Sequence, residues 1–303
     1  MMTIRTTCLC ILLIAMATSI ALAQGSGISS GYPTPRNGFS ASEQVGHGIY
    51  LRYCVLCHGV YGDGNGDTAQ FIDPKPRDFT IATFKCRSTP TGTLPLDTDL
   101  INTLVRGVET TNMPSWRPLS DENRHDLIAY IKTFSERWKT EKSGEPIKIP
   151  AEPPVDIASI RRGHDLFQKV ECWKCHGQQG HGDGPSASTL TDSKDQPIRP
   201  YNFAAAGNDA RFKCGVTNED LYRIFMTGLD GTPMPSFADV IQPNDAWDLV
   251  HYLRTLQVNR RSEENRVLKA AGGPAALKSA GDKQSANHPP AAPGEIKSPG
   301  GAN

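Results

Sequence analysis

The chain has 303 residues, 38% of them hydrophobic, and 32 basic side chains balance 32 acidic ones. A net charge of zero leaves no basic footprint for a nucleic acid and no field to steer a charged partner. The length exceeds one small domain, so an internal duplication is worth seeking.

In chain order, Met1 to Arg5 forms a short basic start. An apolar run from Cys8 to Ala23 follows, ending in Ala21-Leu22-Ala23. That order is the pattern of a secretory signal peptide over residues 1–23. Cys8 and Cys10 lie inside the apolar run and would leave with it. No other stretch is apolar for long enough to span a bilayer, so no transmembrane anchor is expected after signal removal. A mature chain starting near Gln24 would carry six cysteines into a periplasmic or otherwise exported, oxidising compartment. Residues 24–39 read as a flexible segment.

The first structured unit is expected over 40–140. A leading helix begins at Ser40-x-x-Glu43, a capping-box spacing. It runs into Cys54-Val55-Leu56-Cys57-His58. A Cys-x-x-Cys pair alone fits zinc, a redox dithiol or haem; the histidine immediately after it narrows the reading to c-type haem attachment. Two thiols add across the two vinyl groups of one porphyrin, and the adjacent imidazole reaches the iron from the same face. The glycines around Asp63 suit tight turns, since no Walker-type lysine and serine follow them. A second helix is expected near Leu100, then a loop carrying Met113-Pro114. Proline stiffens that loop. Leu127, Ile128, Ile131 and Phe134 then mark the apolar stripe of a terminal amphipathic helix.

The same punctuation returns. Cys172-Trp173-Lys174-Cys175-His176 repeats the attachment motif, and Gly163-His164 repeats Gly46-His47. Leu100, Gly107, Met113, Pro114 and Ser115 reappear as Leu221, Gly228, Met234, Pro235 and Ser236, all at one offset. A linker rich in proline and charge is expected over 141–157, a second unit over 158–257, and a disordered tail over 258–303.

Each half resembles a class I cytochrome c domain: a helix, Cys-x-x-Cys-His, a Met-Pro loop and a C-terminal helix. The whole is similar to dihaem cytochromes c built from two such domains. That resemblance covers about residues 40 to 140 and 158 to 257. It implies an all-α fold in which the first and last helices of each half cross. It also implies two covalently attached haem c groups, with His58 and His176 as iron ligands and Met113 and Met234 as distal ligands. A thioether opposite imidazole favours Fe(II) and raises the potential. The expected function is electron transfer between a redox donor and an acceptor, as a free carrier or as a subunit of an oxidoreductase. A dihaem peroxidase and a haem-based redox or gas sensor are the alternatives.

Other residues carry competing readings. Cys86 and Cys214 share a Phe-Lys-Cys triplet although 29 residues separate Cys57 from Cys86 and 39 separate Cys175 from Cys214. They fit a disulfide stapling the halves, a thiolate on iron, or two inert buried thiols. Arg77, Arg87, Arg199 and Arg211 are candidates for pairing with haem carboxylates, or ordinary surface residues. His47 and His164 are alternative iron ligands, or have a structural or exposed role. Met226 reads as core, and Trp116 and Phe237 as apolar cover beside the distal methionines.

Overall fold

A computed structural model describes residues 38–205, 212–257 and 262–277. The expected signal peptide, residues 24–37 and residues 278–303 of the expected tail lie outside the described residues. The described residues form helices and connecting loops, with only isolated β-bridges.

In the first half, α1 (Ala41–Tyr53) leads into the short α2 (Val55–His58), followed by α3 (Asp97–Arg106) and α4 (Asp121–Lys132). One turn, α5 (Arg137–Thr140), opens the connection. The second half repeats the order with α6 (Ile157–Lys169), α7 (Trp173–His176), α8 (Asn218–Thr227) and α9 (Pro243–Leu256). Local hydrogen bonding sets the starts. Ser40 and Glu43 form the expected capping box, and Asp156 with Ser159 caps α6 in the same way.

Each half buries its own core. Tyr50, Leu100, Leu104, Leu127 and Ile128 fill the first. Phe167, Leu221, Phe225, Trp247 and Leu249 fill the second, where Met226 is also buried as expected. α1 packs on α4 and α6 on α9, and glycine permits both crossings. A Cβ at Gly46 would strike the Asp126 carbonyl, and one at Gly163 the Asp248 carbonyl. Gly46→Ala or Gly163→Ala is therefore expected to cost about 2 kcal/mol by overpacking. In Gly48→Ala the new methyl meets open space, and helix propensity should stabilise by about 0.5–1 kcal/mol instead. Denaturant midpoints of the three variants check the opposite signs.

The halves are tied together by side chains from their loops. Cys86 and Cys214 form a disulfide, with Cα atoms 5.1 Å apart. Asp230 accepts from Arg87, Thr91 and Gly92 of the first half at 2.7, 2.7 and 2.8 Å. The longer Cys-to-Cys loop of the second half contains a small hairpin closed by the Thr191–Pro197 bridge. Its Lys194 crosses to the Asp78 carboxylate and the Asp63 carbonyl, both at 2.7 Å. Between the halves the chain has no helix after α5 but is pinned: Ile147 N–H donates to Ser88 O at 2.8 Å, and Trp247 Nε1–H to Pro150 O at 3.1 Å.

The tail expected from residue 258 does not run unstructured throughout. Glu263–Ala270 forms α10, capped by Ser262 and packed on α6 and α9. Leu268 enters the second core with Val267 and Leu277 against it. Two adjacent apolar residues and one more a few turns later make too short a stripe to show as periodicity.

Candidate functional site

Two apolar cavities lie one in each half. The first is lined by Cys54, Cys57 and His58 from the α1–α2 junction and by Met113 from the loop after α3. The second is lined by Cys172, Cys175, His176 and Met234. The eight sequence-predicted residues are thus gathered four to a cavity. Trp116 lines the first and Phe237 the second, as expected for apolar cover.

Both imidazoles are held in one tautomer. His58 Nδ1 lies 2.9 Å from the Arg77 carbonyl and His176 Nδ1 3.0 Å from the Tyr201 carbonyl. A carbonyl only accepts, so Nδ1–H donates and Nε2 is the bare nitrogen. Burial pushes both pKa values below the usual histidine range, keeping the rings neutral and able to bind a metal. Phe79 stacks on His58 at 4.5 Å and Phe203 packs on His176 at 4.8 Å, restricting ring rotation. Burial also pushes the Cys54 and Cys172 thiols up to about 12.

The methionine loops share one hydrogen-bond scheme. Met113 N–H donates to Thr111 Oγ1 at 3.1 Å, and Met234 N–H to Thr232 Oγ1 at 3.2 Å. Ser115 Oγ–H donates to Val105 O at 2.6 Å, and Ser236 Oγ–H to Met226 O at 2.7 Å. Sequence reading missed the two threonines as loop clamps. Their signal was available, because they sit at the same repeat offset as the methionines.

The other candidates sort by position. Arg77 borders the first cavity and Arg199 the second. Arg87 does not serve a cavity: its buried guanidinium donates to the carbonyls of Phe84, Pro90 and Thr227 and to Asp230. Arg211 lies outside the described residues. His47 is buried against Phe39 and Tyr130, and His164 sits beside Asp165 and Tyr252. Neither borders either of these two cavities, which favours the structural or exposed reading. The disulfide removes both the thiolate-on-iron and the inert-thiol readings of Cys86 and Cys214, since paired sulfurs have no thiolate to donate.

An iron porphyrin fits this donor set. In each half a neutral imidazole, a thioether and two thiols line one apolar space. Trp116 Nε1, buried in the first cavity wall, has no hydrogen-bond partner among the described residues. A bound group with acceptor atoms would satisfy it.

Comparison with known proteins agrees in each half. A cytochrome c family model matches residues 160–257. A model described as cytochrome C oxidase, cbb3-type, subunit III matches residues 41–131. The chain is also similar to a solved chain of the Kuenenia stuttgartiensis reducing HAO-like protein complex Kustc0457/Kustc0458. The two are 38% identical, with a TM-score of 0.68, over 71% of this chain and 96% of that one. The chain belongs to the cytochrome c family. No curated protein matches it. Membership makes covalently bound haem c the cofactor of this cytochrome c and electron transfer its chemistry. Among the described residues no helix is long and apolar enough to cross a membrane.

Proposed function

We propose that this cytochrome c is an exported dihaem protein that passes electrons between partners as a subunit of a larger oxidoreductase assembly. The observation that carries the reading is the pair of cavities, each with one attachment motif and one Met-Pro methionine. Cys54 and Cys57 would hold one haem c by thioether bonds, with His58 and Met113 as iron ligands. Cys172, Cys175, His176 and Met234 would hold the second. When bound, each haem supplies a reversible one-electron Fe(III)/Fe(II) couple. The chain fixes the imidazole tautomers through the Arg77 and Tyr201 carbonyls. It holds the methionine loops through Thr111 and Thr232 and keeps water from the apolar walls. A methionine in each cavity favours closed iron sites over the open position that a peroxidase or gas sensor needs. Likeness to a chain of a protein complex favours a subunit over a free carrier, and the signal-peptide pattern supports export.

Intact mass and haem staining after denaturing electrophoresis should give two haems per chain. The oxidised protein should show the weak near-red band of methionine–Fe(III), diminished in Met113→Ala or Met234→Ala and lost in the double variant. A mass for one haem, or rapid carbon monoxide binding by the unmutated reduced protein, would overturn the closed dihaem reading. Elution of the native haem absorbance at the size of the single chain would count against the subunit role.

A further inference from the structure

Among the described residues, one borders both cavities. Lys213 lines the first as well as the second. It precedes Cys214, so the disulfide to Cys86 anchors its backbone against the first half. Its Nζ donates to Thr110 Oγ1 at 3.2 Å, on the methionine loop of the other half. Lys85, which holds the same place in the first Phe-Lys-Cys triplet, borders the first cavity alone.

The lining charges are lopsided. Lys75, Arg77, Lys85 and Lys213 border the first cavity, and among the described residues no aspartate or glutamate does. Lys174, Arg199 and Lys213 border the second with Glu171 as the one acid among the described residues. Burial lowers the pKa of Lys85 to about 8 and that of Lys213 below the usual lysine range. Cations drawn partly out of water are costly, and carboxylates at the site would add to the relief that Asp192 gives Lys85 and Asp73 gives Lys213. Each haem c brings two carboxylates, on the half of the porphyrin away from its thioether-forming carbons. Resting on the dihaem reading, we infer that Lys213 is a counter-ion shared by the carboxylates of both haems. A fixed cation beside both groups favours Fe(II) at each and raises both reduction potentials. It also makes the charge at one site felt at the other through a common partner. Lys213 is a positioning and electrostatic residue, not an iron ligand.

The test is a potentiometric titration of the haem-loaded protein, followed by haem absorbance. Lys213→Met keeps the apolar stem and removes the charge; Lys213→Gln is a second neutral variant should the first not accumulate. Both midpoints are expected to fall in either variant, and Lys213→Arg should return both towards the parent. Lys85→Gln should move one midpoint only. Unmoved midpoints in the neutral variants, a shift of one midpoint alone, or equal shifts of both in Lys85→Gln would overturn the assignment. Intact mass separates this failure from that of the dihaem reading. Two haems with unmoved midpoints reject only the role of Lys213, whereas one haem rejects the reading on which it rests.

Discussion

Replacing Cys86 and Cys214 together by serine is expected to lower the unfolding free energy by about 5 kcal/mol. The bond spans 128 residues of sequence, and the chain-entropy model gives that order for a loop of such length. The loss lies mainly in the unfolded ensemble, because the Asp230 and Lys194 contacts still join the folded halves. Guanidinium unfolding of the double variant against the oxidised parent measures it, and adding reductant to the parent should reproduce the shift. Thiol labelling of the denatured, non-reduced, haem-loaded parent should find no free cysteine, and reduction should expose two. Coincident unfolding curves for parent and variant would refute the stapling role.

Asp230→Ala is expected to cost about 3–5 kcal/mol, because it strands a buried charge. The Arg87 side chain is 0% exposed and its ion pair with Asp230 is 2.7 Å long. The same carboxylate also accepts from Thr91 and Gly92, so three residues lose this shared acceptor together. Arg87→Met combined with Asp230→Ala should be less destabilised than the sum of the single variants, since no unpaired guanidinium remains. Thermal or denaturant unfolding of the four-member cycle checks this. Simple additivity would mean that the pair is not coupled. Because Arg87 is held away from both cavities, Arg87→Met should leave the haem spectra unchanged. A spectral shift would return it to the cofactor.

Much of the site was legible because its chemistry is local. Cys-x-x-Cys-His is set by the spacing of two vinyl groups and one iron, so five consecutive residues carry the whole constraint. The methionines became legible through duplication: one Met-Pro is weak, but Met113 and Met234 at a common offset are not coincidence. Thr111 and Thr232 shared that offset and were missed because threonine carries no chemical signature of its own. α10 was missed because its contact with α6 and α9 rests on a few apolar side chains, Leu268 foremost.

The sequence by itself determined the main helices of each half and the cysteines, histidine and methionine that each cavity gathers. Capping boxes, i to i+4 stripes and attachment motifs act over a turn or two of chain. Only the tertiary structure decided how the halves share residues. Cys86 pairs with Cys214, Arg87 with Asp230, and Lys213 reaches Thr110, each across more than a hundred residues. No local spacing encodes such meetings, because they depend on how two folded surfaces dock. An arginine or lysine in a loop reads alike whether it faces solvent, a haem carboxylate or an aspartate of the other half. Burial beside a particular partner gives it a role, and burial is a property of the packed molecule.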